Sequence, residues 1–577
     1  MKKNRVWVGI LFAVCILLSL IGIWKSVYVS ADIDESYAFT MAVRIAGGER
    51  MFIDLWEPHQ MSAFLYAPLV WIYKSIAGNL DGALVFMRFM GVLVQALLSV
   101  WCYCVLRRYQ PFLAGICAIL YLNFTPKHIQ SPEFTSIYYW MMMALILCTL
   151  SYMQHKKKRY LILSGLFMSM AVLCYPTAVL LFLYLQVLFC VYAKENRKES
   201  FLFALTCFLA GVCFLLYICV RGGGITQVLQ NIPNVLSDAS HKQSLVAMAK
   251  DHLVHLARIL YVTAGFIVLC QVGRPVLDKK NAHASVFMGV LLLLQAVWMV
   301  IQFHTIQSVN FMVFYPIVCQ LFVIGWYAYA AFDKTEEDRQ LFYGGVLLSA
   351  AALLAVLTTS NLTAEYSVSF LLPGVLTGLL LIGRVIGAGE KPRKACLAYA
   401  VLLAALLLQL FAARILLVRF TSTQRKNIFD TYVKTETGVL SGIYLGEFDA
   451  SQYEAKYAAL QNYVGAEDRL LYIGCDMFLY SVLQKGQIAT GNTISTPAFS
   501  DQLMTYYRMY PEKIPTVLFV DREYGADFSV LLDEEPLKGF VENYFDTVLP
   551  VTDGPLTVYF AKDRNCLLYT SDAADEA

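Results

Sequence analysis

The sequence predicts a polytopic α-helical membrane protein of about 13 spans with a small C-terminal α/β domain on one side. Three observations predict it. Of the 577 residues, 58% are hydrophobic and only 15% are charged, against about 25% charged in soluble domains. Apolar runs close to the ~20 residues that cross a hydrocarbon core recur as far as residue 418. Beyond about 420 the pattern changes to short buried-strand runs alternating with amphipathic stretches.

The spans are expected, in order, at residues 6–29, 82–106, 111–124, 136–153, 160–174, 177–193, 200–220, 256–273, 284–303, 308–332, 341–358, 367–385 and 397–418. The third and fifth are short. Tyr175–Pro176 divides the fifth from the sixth, because proline disfavours helix in the residue before it. Basic residues sit in alternate loops: Lys2, Lys3 and Arg5; Arg107 and Arg108; "HKKKR" at 155–159; "KENRK" at 194–198; Arg274, Lys279 and Lys280; Lys334 and Arg339; Arg384, Lys391, Arg393 and Lys394. The positive-inside rule then places the N terminus in the cytoplasm. The 31–80 loop and everything after about 420 fall outside. The first run is too long for a signal-peptide core and reads as an uncleaved anchor.

Three regions follow: a membrane domain over 1–419, an extracytoplasmic α/β domain over 420–565, and a tail at 566–577. The tail, "CLLYTSDAADEA", resembles translated sequencing-adaptor sequence and is set aside. In the second region, 450–464 patterns as an amphipathic helix, and 468–475, 515–522 and 555–562 as strands. Its "GCDMFLY" lacks GxGxxG spacing, so no nucleotide site is assigned. The 15 cysteines lie mostly inside apolar runs, where they act as small hydrophobes. No CxxC or Cys/His metal spacing appears. A net charge of +3 gives no reason to expect nucleic acid as a partner.

The stretch directly after the first span stands apart: "ADIDESYAFTMAVRIAGGERMFIDLWEPHQ" holds Asp32, Asp34, Glu35, Glu49, Asp54, Glu57 and His59. An acidic first outside loop of this kind resembles the GT-C superfamily of glycosyltransferases. The nearest likeness is the bacterial lipid-carrier branch related to protein mannosyltransferases and aminoarabinose transferases. Asp34–Glu35 with Tyr37, Gly47–Gly48, Phe52–Asp54 and Glu57–Pro58–His59 follow the family pattern, as does Arg88 in "VFMRFMGVL". The consecutive prolines usual after the turn are missing. The resemblance implies inverting transfer of a sugar from a polyprenyl-phosphate carrier to a glycan, lipid or protein acceptor outside the cytoplasm, with no cofactor.

Such chemistry needs a carboxylate to take the proton of the attacking hydroxyl. The resemblance points to Asp34 for that base, with Glu35 beside it. Either Asp54 or Glu57 then orients the acceptor or shares the role, and the sequence does not choose. His59 serves proton transfer or the leaving phosphate. Asp, Glu and His at this spacing also suit a divalent cation, although the lipid-phosphate branch resembles metal-free enzymes. Arg88, a charge inside a span, is a candidate for the leaving anion. Tyr37, Lys127, His128, Glu133, Glu365 and Tyr366 are further candidates to line an outside cavity. The competing reading, a transporter or flippase of lipid-linked saccharides, predicts mid-membrane ionisable residues and an internal repeat. Neither is evident.

Overall fold

The computed structural model describes residues 2–128, 130–222, 224–235, 244–277, 283–305, 314–331, 334–358, 367–388, 392–418, 426–474, 476, 478–493, 500–522 and 528–564. Among these residues, ten helices are long and apolar enough to cross a membrane. They are α1 (Lys2–Tyr28), α4 (Ala83–Leu106), α6 (Phe134–His155), α8 (Leu180–Ala193) with the 3₁₀ turn Pro176–Val179 leading into it, α9 (Phe201–Arg221), α11 (Leu245–Leu277), α12 (His283–Thr305), the pair α14 (Glu336–Leu341) and α15 (Leu348–Leu357) joined by a π-helical turn, α16 (Leu372–Gly387) with the 3₁₀ turn Val368–Leu371 leading into it, and α17 (Pro392–Leu416). The remaining expected spans are the shorter α5 (Pro111–Asn123), α7 (Lys158–Cys174) and α13 (Tyr315–Ala331).

Several of the basic loops are joined to their neighbours by side-chain contacts. Arg108 reaches Gln154 and His155, Lys158 pairs with Glu199, and Arg384 binds Glu337 and Asp338. These loops meet at one end of the bundle. The loop between α1 and α4, residues 124–133 and the C-terminal domain meet at the other.

Two physical devices hold the spans together. Small residues allow close approach: a Cβ on Gly325 of α13 would lie 2.8 Å from Gly378 Cα of α16. Buried amides also link α11, α12 and α13. Thr263 donates to Gln295 at 2.9 Å, Gln295 to Gln320 at 2.7 Å, and Gln320 to Gln302 at 3.1 Å. In an apolar medium such groups find partners in one another.

The first loop is itself folded. It holds α2 (Ile33–Ala46) and α3 (Gln60–Ala77), with a compact turn between them. The expected 31–80 loop thus contains two helices. Helix α2 is short and buried along most of its length, so it lacks the one-sided apolar stripe that marks a surface helix. Helix α3 is apolar with Pro68 inside, and it packs against α4 and α7.

In the C-terminal domain, β1 (Leu417–Val418) pairs antiparallel with β2 (Lys426–Asn427), and β3 (Tyr432–Lys434) with β4 (Tyr444–Gly446). A five-stranded sheet runs in the order β6-β5-β7-β9-β8, with β5 (Arg469–Ile473), β6 (Gln487–Ile488), β7 (Val517–Asp521), β8 (Val551–Asp553) and β9 (Leu556–Phe560). Strand β5 lies parallel to β6 and β7, while β9 is antiparallel to β7. The central strands are near-continuous hydrophobic runs because both faces are covered. Helix α18 (Glu447–Tyr463) packs nearby, and its fully buried Lys456 pairs with Asp521 at the end of β7. Asp521 also accepts from the Tyr472 hydroxyl at 2.7 Å.

Candidate functional site

The site is built on the start of α2. Asp32 caps that helix, accepting the Asp34 N–H at 2.9 Å, and Asp34 and Glu35 follow in its first turn. A side-chain acceptor at the cap and carboxylates in the first turn suit the exposed N–H groups and the positive end of a helix dipole. The adjacent carboxylates turn to different surroundings.

Glu35 is buried and bound twice by Arg88. Arg88 Nε donates to Oε1 at 2.8 Å and Nη2 to Oε2 at 2.5 Å; Ser131 Oγ donates to Oε1 at 2.6 Å. Arg88 also donates to the carbonyls of Val27 and Ser30, at 2.9 and 2.7 Å. Val27 lies in the last turn of α1 and Ser30 two residues beyond the helix, where helical partners run out. The guanidinium therefore ties three segments together.

Arg88 and Glu35 line a small polar cleft with Lys25, Asp32 and Gln130, of about 30 Å³. That is room for a water or two, and the two cations face two carboxylates. Asp34 is not among its lining residues, so Arg88 and Asp34 do not open into a shared cavity there. Behind it, buried Arg414 donates to Thr125 and Gln130, and Lys25 donates to the Leu417 carbonyl. These cations serve the ends of α1 and α17.

Asp34 is one-third exposed and faces Lys127, whose Nζ lies 3.2 Å from Oδ2. Lys127 is buried, and its backbone is left-handed, with φ 54°. A non-glycine residue held there is strained by about 1–3 kcal/mol. Its N–H donates to the Tyr315 hydroxyl of α13 at 2.6 Å, which fixes that turn. The ammonium stands 4.9 Å above the Phe134 ring, a cation–π contact. Phe134 stacks on His59 at 3.9 Å, and the edge of Tyr37 meets His59 at 6.4 Å. Asp34, Lys127, Phe134, His59 and Tyr37 thus form one continuous wall.

Glu133 caps α6, accepting from the N–H groups of Thr135 and Ser136. It is fully buried, and burial pushes its carboxyl above the usual range, with the Lys127 charge opposing.

The second acidic group divides. Glu57 is buried and accepts from the Tyr37 hydroxyl at 2.8 Å, and from the Thr493 hydroxyl at 2.6 Å and its N–H. Burial pushes its carboxyl up against those hydrogen bonds. Asp54 is drawn to Arg50 instead, accepting from N, Nε and Nη2 at 2.9, 2.9 and 3.1 Å. Burial alone would raise its carboxyl, but Arg50 outweighs that and holds it below the usual range. Asp54, Glu57 and His59 do not converge, and among the described residues no trio of His, Cys, Asp or Glu is placed to hold a metal ion. Glu365 and Tyr366 lie outside the described residues.

Thr493 shows how the C-terminal domain enters. Its segment 490–493 docks onto the first loop: Gly491 accepts from Trp56 N at 2.8 Å, and Thr490 accepts from Arg44 Nη2 at 2.5 Å. Trp56 packs edge-on against Tyr506 at 5.1 Å. No pattern in the sequence marks Thr493. Lys127 was legible as a candidate, but its partnership with Asp34 was not, since 93 residues separate them.

No family model matches the chain, and no curated protein matches it. In structure it is similar to ArnT from Cupriavidus metallidurans in the apo state, at 14% identity and a TM-score of 0.45, over 96% of this chain and 98% of that one. The same protein bound to undecaprenyl phosphate gives the same identity and TM-score, over 96% of this chain and 97% of that one.

Proposed function

We propose that the protein is an integral-membrane, inverting glycosyltransferase of the GT-C type that its first loop resembles. It moves a sugar from a polyprenyl-phosphate carrier to an acceptor outside the cytoplasm, with the first loop and the C-terminal domain on the outer face. One observation carries this reading: the part-exposed Asp34 carboxylate set 3.2 Å from the buried Lys127 ammonium, where the spans meet the first loop.

In this reading the acceptor hydroxyl attacks the anomeric carbon opposite the phosphate. The new C–O bond forms as the carbon–phosphate-oxygen bond breaks, and the bond pair leaves with the lipid phosphate. Asp34 takes the hydroxyl proton, a task that suits a carboxylate open to substrate. Lys127 supplies positive charge for the phosphate as its charge develops, and its strained, pinned backbone means little reorganisation is needed. Glu35 and Arg88 position the start of α2. Glu57, engaged by Tyr37 and Thr493, sets the turn that carries His59.

The test supplies radiolabelled polyprenyl-phosphate hexose to the purified protein in membranes, with candidate acceptors, for wild type and Asp34→Asn. Label is expected to reach acceptor with wild type and not with the variant. Equal transfer by both would remove Asp34 as base. Movement of the lipid-linked sugar across the bilayer with no new bond would point to a flippase.

A further inference from the structure

We propose that a cleft of about 360 Å³, between the end of α3 and the C-terminal domain, is a saccharide-binding site. Lys74, Asn79 and Asp81 form one wall, and Tyr457, Ser481 and Gln484 the other. The volume falls within the roughly 300–1,000 Å³ of small-molecule sites.

The walls are braced. Gly82 N donates to the Gly438 carbonyl at 2.9 Å, tying the turn after α3 to the β3–β4 hairpin. Asn79 and Asp81 hold each other: Asn79 Nδ2 donates to Asp81 Oδ2 at 3.0 Å, and Asp81 N donates to Asn79 Oδ1 at 3.1 Å. Gln484 Nε2 donates to the Tyr457 hydroxyl at 3.1 Å, which fixes the half-buried ring.

The chemistry selects the ligand class. An ammonium, two amides, a carboxylate and the Tyr457 hydroxyl offer donors and acceptors together. One cation against one anion leaves the cleft neutral, so it favours neither a phosphate nor a polycation. Leu80, Val439, Val482 and Leu483 line it as well, so the walls mix polar and apolar surface, which a wholly apolar ligand would match only in part. A saccharide fits: its vicinal hydroxyls both donate and accept, and its C–H face lies against an aromatic ring such as Tyr457.

The cleft also adjoins the candidate site. Ser481 Oγ meets Thr40 Oγ1 of α2 at 2.6 Å. Thr40 lies six residues from Asp34, about 9 Å along the helix at 1.5 Å per residue. A glycan held in the cleft is thereby placed beside α2, as the non-reacting part of an acceptor. That role rests on the transferase reading; the binding does not.

The test uses full-length protein in lipid nanodiscs, with tritiated chitotetraose, maltotetraose and mannotetraose in equilibrium dialysis. At least one should bind saturably. Tyr457→Ala and, separately, Gln484→Ala should each weaken it about tenfold or more without lowering the melting temperature. The surface position of Gln484 keeps the test informative should the tyrosine variant misfold. Saturable binding of none of the three, or undiminished binding in both variants, overturns the site. Binding that depends on both residues, with no sugar transfer from a lipid donor, keeps the cleft and removes the transferase reading. Transfer without dependence on either residue does the reverse.

Discussion

The first loop holds the carboxylates at the start of α2 and Glu57 before α3 by opposite means. At the start of α2, Asp34 and Glu35 face cations, Lys127 and Arg88, both drawn from neighbouring spans or their connections. At the turn before α3, Glu57 is held by neutral donors, Tyr37 and Thr493, the latter supplied by the C-terminal domain. Within the first pair, burial makes a further division: Glu35 is sealed and Asp34 stays open. A sealed, doubly bound carboxylate fixes geometry, whereas an open one can exchange a proton with a substrate. The difference teaches that acidity of the loop alone does not locate the chemistry; the partner and the exposure do.

The sharpest way to break this comparison is Asp34→Asn. Sugar transfer should fall about 10²–10⁴-fold, the usual share of a general base, while the melting temperature stays near that of wild type. Unfolding of the variant would instead class Asp34 with Glu35. Next comes Arg88→Met, which leaves the Glu35 charge buried and unpaired. It should destabilise the protein by about 3–5 kcal/mol, read by thermal or denaturant unfolding in detergent. An Arg88 variant that folds normally but fails only in transfer would move Arg88 into the substrate site.

Lys127→Gly sharpens the same contrast from the cation's side. Glycine accepts the left-handed backbone without strain, so stability should hold while transfer falls about 10²–10³-fold. A smaller effect is expected of Thr493→Val, which removes one hydroxyl donor from Glu57 and should cost about 1–3 kcal/mol.

The smallest concerns pH. The folded protein holds the Glu57 proton more tightly than the unfolded chain does, because burial raises that carboxyl above its ordinary value of 4.5. The folded state thus binds more protons in that interval. Unfolding free energy should therefore fall as pH rises from about 4.5 through the raised value, then level off. Melting curves of Glu57→Gln should lack that component.

The membrane part was legible because apolar runs report spans directly. Each of the thirteen runs overlaps helix among the described residues, ten of the helices being long and apolar enough to cross a membrane. The β5, β7 and β9 runs were equally plain, since buried strands are continuously apolar. Helix α2 was not, because it is buried along most of its length and carries no single stripe, and in α3 the buried stripe of Ala63, Tyr66, Ala67 and Val70 is hidden by apolar residues such as Trp71, Ile72 and Ile76 on its exposed side.

Of the candidate residues, the acidic cluster was visible as composition. Its sorting was not: Arg88 with Glu35, Lys127 with Asp34 and Thr493 with Glu57 are contacts 53, 93 and 436 residues apart. The Arg88 charge read as free for a ligand, yet four of its hydrogen bonds are spent inside the protein.

The clasp between Thr493 and Glu57 has a consequence for how the molecule comes into being. A ribosome delivers the first helix and its acidic turn early, and the segment that finishes that turn among the last. Until then the nascent chain carries a glutamate with half its partners missing and a tryptophan without its cover. The acidic turn is therefore completed only once the C-terminal domain has been made and folds back onto the first loop.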